Sequence, residues 1–307
     1  MATGEAAEVL VVGSVNRDLV ATVDHLPVAG ETVAGAALAE GLGGKGANQA
    51  VAAARAGARV ALLATVGDDP GGGALRARLA ELGVGTELVA TAPGPSGTAL
   101  VAVDAAGENQ IVVVPGANAA TGPERVDALV PGLAPSTVVV VQGEVPLTTI
   151  VTAVGAGRAA GATVVVNLAP FVALPPGVLS GCVVVVNAVE LGQLLRADPP
   201  PTVEAARAAA AAVVAGGPAA VVVSLGADGA VWVTAEGEGG HVAAPPASAV
   251  VDTTGAGDAL VGVLAAALAA GRSLDAVVTA AVAAATASVA HPGAAEGYPP
   301  FAVGAAR

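Results

Sequence analysis

Asp258 closes the run "DTTGAGD", Asp252 to Asp258, directly after Gly255, Ala256 and Gly257. Small residues at a helix entrance leave consecutive backbone N–H groups open, and the helix dipole strengthens their hold on an anion. A carboxylate beside such a hole suits phosphoryl transfer. It takes the proton of an attacking hydroxyl while the amides hold charge on the moving group. An acid at a helix start also simply caps the helix. Capping accounts for Asp258 alone, but not for the Gly-Ala-Gly before it.

A second polar group lies in "EGLGGKGANQA", Glu40 to Ala50, which contains Gly44, Lys45, Gly46, Ala47, Asn48 and Gln49. Gly41, Gly43 and Gly46 spell the dinucleotide fingerprint G-x-G-x-x-G. That fingerprint follows a buried strand directly, whereas "ETVAGAALAE" is weakly patterned and no strand is expected before Gly41. Gly46 stands where a Walker A loop needs Ser or Thr, so that loop is excluded too. A tight turn explains the glycines but not Lys45, Asn48 and Gln49. These polar groups beside bare backbone suit a small, hydroxyl-rich ligand, which glycine N–H groups can approach closely. Lys45 is the only lysine in the chain; the other eleven basic residues are arginine.

Further polar residues fall at strand ends. Asn16 and Asp18 of "GSVNRDLV" are plain turn residues on one reading, and partners for sugar hydroxyls on the other. Glu144 follows "VVVVQG", and Asn187 and Glu190 of "NAVE" follow "CVVVV". Mg²⁺ is usually held by few carboxylates and water, so Asn187 and Glu190 suffice as its site. "SLGADG", Ser224 to Gly229, reads as a hairpin turn. His25, His241 and His291 lack metal-type spacing, and no G-x-S-x-G occurs to support a hydrolase triad.

These residues are spaced along alternating strands and helices. Strands are expected at Val9–Val12, Val60–Val66, Val138–Gln142, Thr163–Asn167, Val183–Asn187, Ala220–Ser224 and Val231–Thr234. Helices are expected at Ala47–Ala56, Gly73–Leu82, Thr148–Ala160, Val203–Ala215, Ala259–Ala270 and Leu274–Ala290. Strands apolar throughout are covered on both faces, which predicts a parallel sheet between helix layers. Residues 16–40 are too long for a simple connection, and 97–116 read as a hairpin. Both suit a small sheet covering a site. No linker divides the 307 residues, so a single α/β domain is expected.

Composition removes other classes. A net charge of −13 and four aromatics leave neither a basic face nor a stacking platform for nucleic acid. One cysteine, Cys182, excludes an internal disulfide and fits a buried thiol in a cytoplasmic protein. Mean hydropathy is +0.75, but prolines interrupt the longest uncharged stretch and no membrane span is expected. The start "MATGEAAEVLVVG" has no basic n-region, so it does not read as a signal peptide.

"GSVNRD", "GETV", "GGKGANQAVAAARAGA", "GDD", "GEN" with "GANAA", "QGEVP", "NAVE", "SLGADG" and "DTTGAGD" occur in this order nearly end to end. With these motifs the chain resembles the ribokinase-like (PfkB-type) carbohydrate kinases. The resemblance implies a doubly wound, three-layer α/β/α fold with a small β-sheet lid. It implies ATP-dependent phosphorylation of the primary hydroxyl of a pentose, D-ribose first, with deoxyribose, fructose or a nucleoside as alternatives. Asp258 is then the base, and Gly255, Ala256 and Gly257 form the anion hole. Asn16, Arg17, Asp18, Gly44, Lys45, Gly46, Ala47, Asn48 and Glu144 contact the sugar together with Asp258. Asn187, Ser224, Leu225, Gly226, Ala227, Asp228 and Gly229 contact ATP together with Gly257 and Asp258. Asn187 and Glu190 organise Mg²⁺. Asp252, Thr254, Ser288, His291, Gly293 and Gly297 form a loop for an activating K⁺. Gly297 replaces a serine hydroxyl, and Val282 replaces a polar side chain near the adenine. The resemblance also implies a homodimer through the lid.

Overall fold

The computed structural model describes residues 7–303. Residues 1–6, on which the reading of the N-terminus partly rests, lie outside the described residues.

The main sheet runs β13-β12-β11-β10-β9-β8-β1-β4-β5. Its strands are β1 (Val9–Val12), β4 (Val60–Gly67), β5 (Val89–Ala92), β8 (Val138–Gln142), β9 (Thr163–Asn167), β10 (Val183–Asn187), β11 (Ala220–Ser224), β12 (Ala230–Thr234) and β13 (Gly239–Val242). The pairs from β5 across to β11 are parallel, and β12 and β13 add antiparallel at one edge. Side chains alternate faces along a strand, so the valine runs split between two cores. Val9 and Val11 join one; Leu10 and Val12 join the other. The first core is covered by α1 (Lys45–Arg55), α2 (Pro70–Glu81), α7 (Ala256–Ala269) and α8 (Leu274–Ser288). The second is covered by α3 (Pro123–Asp127), α4 (Leu147–Ala159), α5 (Ala188–Leu195) and α6 (Val203–Val214). Cys182 is fully buried there, and burial pushes its thiol up to about 11. No helix of the described residues is long and apolar enough to cross a membrane.

A second, four-stranded sheet, β3-β2-β6-β7, comes from the two segments that interrupt the rhythm. Its strands are β2 (Asn16–Val23), β3 (Gly35–Gly43), β6 (Gly97–Val103) and β7 (Asn109–Val114). β3 corrects the expectation of no strand before Gly41. Its antiparallel partner β2 supplies a ladder that its own Gly- and Ala-rich sequence does not advertise. The dinucleotide reading still fails, because this strand belongs to the small sheet and is exposed from Gly35 to Glu40.

The chain leaves β1 for β4 on one side and later enters β8 on the other, so the strand order reverses at β1. Open α/β sheets bind ligands at such a point, beyond the carboxyl ends of the strands. Ser14 follows β1 there and Glu144 follows β8. Gly262 lets α7 lie against α1, since a β-carbon there would meet the Gln49 carbonyl and the Ala52 methyl. This close crossing brings the start of α7 to Asn48 and Gln49.

Candidate active site

The entrance of α1 is packed into the β1–β2 turn. Gly44 adopts φ 89°, and a β-carbon on Gly46 would stand 2.5 Å from the Ser14 nitrogen. Three N–H groups here have partners within the protein. Lys45 N donates to Glu144 Oε2 at 3.0 Å, Gly46 N to Ser14 Oγ at 3.3 Å, and Ala47 N to the Ser14 carbonyl at 2.9 Å. Gly44 and Gly46 thus serve close backbone packing. Gly46→Ala is expected to destabilise the fold by about 1–3 kcal/mol through overpacking. A thermal melt that overlays the wild type would contradict this packing role.

What the entrance does present is side chains. Asp258 is 6 % exposed. Asn48 Nδ2 donates to its Oδ2 at 3.0 Å and Gln49 Nε2 to its Oδ1 at 2.9 Å. Lys45 Nζ stands 4.0 Å from Asp258 Oδ1. Asp258 raises the pKa of the Lys45 ammonium against the opposing effect of burial, and Glu144 and Glu190 add to the rise. Burial first, then Glu144 and Asp258, push the Asp18 carboxyl up to about 7. The structure thus gathers Asp18, Lys45, Asn48, Glu144, Glu190 and Asp258 from distant parts of the chain. Gln49, read as facing a ligand, is instead fully buried. Arg17 points away, as its odd position on β2 requires, and pairs with Glu40 on the exposed face.

Asp18 makes stability depend on pH. A carboxyl group with a raised folded pKa holds its proton more tightly in the folded than in the unfolded chain. Its stabilising contribution is complete below an unfolded pKa of about 3.9 and is lost as pH rises through about 7. Asp18→Asn is expected to melt higher than the wild type above pH 7 and to flatten the loss of Tm across that window. Parallel Tm profiles for the two proteins would rule out the assignment.

Residues that sequence reasoning missed hold this cluster in place. Asn118 Nδ2 donates to Asn16 Oδ1 at 2.7 Å, and Asn118 Oδ1 accepts from Val15 N at 2.9 Å. Ser14 Oγ donates to Glu144 Oε2 at 2.5 Å. "GANAA" and "GSVNRD" contained the signal, as small polar residues beside glycine. Tyr298, 3 % exposed, donates its hydroxyl to the Gly255 carbonyl at 2.6 Å. Only its isolation as the single tyrosine marked it.

On the other side of the α7 entrance lies a cavity of about 720 Å³. Ser224, Gly226, Ala227, Gly229, Ala256 and Gly257 line it, and Val282 closes its apolar wall. Asn187, Leu225 and Asp228 line an adjoining hollow of about 280 Å³ instead. Gly255 caps α7 in the left-handed conformation, φ 76°. The approach to Asp252, read as strand-like, is irregular from residue 243 to 255. Asp252 Oδ1 accepts from Thr254 N and Oδ2 from Gly293 N, each at 2.8 Å, which ties the two arms of the expected cation loop together. Ser288 is buried with its hydroxyl donating to the Ala285 carbonyl, while His291 is exposed. Gly297 cannot take a side chain without a shift, since a β-carbon would strike the Pro292 carbonyl. Asn187 and Glu190 form a capping box at the start of α5: Asn187 Oδ1 accepts from Glu190 N, and Glu190 Oε2 from Asn187 N. Burial raises the Glu190 pKa, with Lys45 and the Asn187 amide opposing.

The chain is similar to known sugar kinases over most of its length. The chain is 36% identical over 258 residues to the deoxyribokinase of Salmonella typhi, covering 83% of each chain. It is 35% identical over 276 residues to the ribokinase of Schizosaccharomyces pombe, covering 87% of this chain and 86% of that one. The structure of Arabidopsis thaliana ribokinase complexed with ribose and ATP aligns with a TM-score of 0.86 at 28% identity over 96% of both chains. Thermotoga maritima ribokinase aligns at 0.84 and 30% identity, covering 96% of this chain and 97% of that one. The model of the pfkB family carbohydrate kinases matches residues 6–300, nearly the whole described chain, and the chain belongs to that family.

Proposed function

We propose that the chain transfers the γ-phosphoryl group of ATP to the primary hydroxyl of a pentose, making D-ribose 5-phosphate from D-ribose. The observation that carries this is the position of the α7 entrance. Ala256 and Gly257 line the large cavity, while Asp258, next in sequence, is bonded among the polar side chains of α1. A phosphoryl donor in the cavity and an acceptor beside Asp258 meet across one turn of helix. Its N–H groups hold the developing charge, and Asp258 takes the hydroxyl proton. Lys45 supplies positive charge beside it.

The acceptor side fits a sugar. Asp18 Oδ1 and Asn48 Oδ1 are buried acceptors without a partner in the protein, and such atoms suit ligand hydroxyls. Asn16 and Glu144 complete that side. Arg17, with its ion pair to Glu40, does not.

The donor set fits Mg²⁺ held mainly by phosphate and water. Among the described residues no group of three or more acidic, His or Cys side chains could hold a metal. The capping box leaves Glu190 Oε1 as the carboxylate ligand, with Asn187 beside it. When bound, Mg²⁺ neutralises phosphate charge. K⁺ is proposed for the loop of Asp252, Thr254, Ser288, His291, Gly293 and Gly297, with Asp252 as the brace. A homodimer is proposed through β7, an open edge strand whose Ile111, Val112, Val113 and Val114 are all exposed. A cytoplasmic setting is proposed from the lone buried thiol.

2-Deoxyribose is the second reading, because the relative from Salmonella typhi is a deoxyribokinase. ADP release should be measured with ribose, deoxyribose, fructose and nucleosides, with and without K⁺. Ribose is expected to give the highest kcat/KM. A higher value for deoxyribose moves the substrate to the second reading. No ADP with any sugar overturns the function.

A further inference from the structure

We infer that Gln49 is a positioning residue that fixes the orientation of the Asp258 carboxylate, and that Gln142 fixes Gln49 in turn. The inference rests on the proposed role of Asp258 as the base.

Gln49 lies on α1 with no exposure, so it contacts neither solvent nor ligand. Its Nε2 donates twice, to Asp258 Oδ1 at 2.9 Å and to Asn167 Oδ1 at 2.9 Å. Its Oε1 accepts from Gln142 Nε2 at 2.7 Å. Asn167 Nδ2 donates to the Val185 carbonyl at 3.0 Å, which leaves the Asn167 oxygen as an acceptor. An ionised carboxylate can only accept. The network therefore has one consistent sense, running from Gln142 at the end of β8 through Gln49 to Asp258 on α7.

Two elements alone would not need this arrangement. An apolar residue at position 49 would bury equally well between α1 and the sheet, and each buried amide must find partners to avoid a desolvation cost. What distinguishes the network is where it ends. Asn48 donates to Oδ2 and Gln49 to Oδ1, so the two oxygens are held by successive residues of one helix. That fixes the carboxylate plane and leaves the remaining lone pairs for the acceptor hydroxyl. Base catalysis depends on such geometry, and small misplacements are costly. Asn167 and Gln142 stand at the ends of neighbouring strands β9 and β8. Through Gln49 the orientation of the base is thus referred to the parallel sheet, while Asn48 holds the other oxygen from the acceptor side.

Gln49→Met keeps the length of the side chain and removes its donors. The expected result is a loss of about 10²-fold in kcat, with KM for sugar and nucleotide held and nucleotide binding by calorimetry intact. A merely structural role would shift the melt without this split. In the Asp258→Asn background the same change is expected to cost nothing further, because the group it positions is already disabled. Wild-type kcat in Gln49→Met, or fully additive losses in the double variant, overturns the inference and leaves the base role intact. Wild-type turnover in Asp258→Asn overturns both. Where Gln49→Met does not fold, Gln142→Met tests the outer link. It is expected to lose kcat by a smaller factor at unchanged KM, and an unchanged kcat there overturns the inference.

Discussion

Asp258→Asn is expected to lower kcat by about 10²–10⁴-fold, the usual contribution of a positioned general base, while nucleotide binding stays largely intact. The substitution keeps the shape of the side chain. It replaces one acceptor oxygen with an NH₂ that faces Asn48 Nδ2 or Gln49 Nε2, both donors. The variant therefore loses the base and also gains a donor–donor conflict at a buried site. Nucleotide affinity is spared because the large cavity is lined by Ala256 and Gly257, not by Asp258 itself. Single-turnover ADP formation and nucleotide titration separate the two effects. Turnover near wild type would remove Asp258 from the mechanism.

Lys45→Met carries the second large effect. Lys45 is the cation facing Asp258, Glu144 and Glu190, and its ammonium is held protonated mainly by Asp258. Without it, these carboxylates confront one another around an apolar side chain. An incoming phosphoryl group then meets net negative charge, and charge stabilisation at a reacting centre is worth about 10²–10³-fold. kcat/KM is expected to fall by that order. Lys45→Arg should restore only part of it, since a forked guanidinium is bulkier than an ammonium and binds differently. Full activity in Lys45→Met would mean that the cation is incidental.

Much of the main sheet was legible because its strands are buried on both faces. Val9–Val12, Val138–Gln142, Thr163–Asn167, Val183–Asn187 and Ala220–Ser224 form as their valine runs predict. In the small sheet, the hairpin read at 97–116 forms as β6 and β7, while 16–40 was legible only as an interruption. β3 is built from Gly and Ala and exists because β2 pairs with it, so no local pattern announces it. The short helix α5 was readable but missed: Asn187 and Glu190 are spaced as a capping box, a helix start rather than two loop residues. Asp258, Lys45 and Asn48 were found because glycine-rich motifs carry them. Asn118, Ser14 and Tyr298 were not, because the contacts that define them span 102, 130 and 43 residues. Arg17 was grouped with Asn16 and Asp18 by adjacency, and strand alternation sends it to the opposite face.

The ring of carboxylates around Lys45 has a consequence for covalent labelling. The sequence contains a single ε-amino group, and that amine sits in the site. Its raised pKa favours the ammonium, which is not a nucleophile, so acylating reagents should modify it more slowly than an ordinary lysine near neutral pH. In strong alkali the free amine appears, and acylation at one position should then abolish activity. Peptide mapping with and without sugar would read occupancy of the acceptor side from a single modified residue. Trypsin, which needs Lys or Arg, would leave the acylated site uncut and mark it by the missed cleavage.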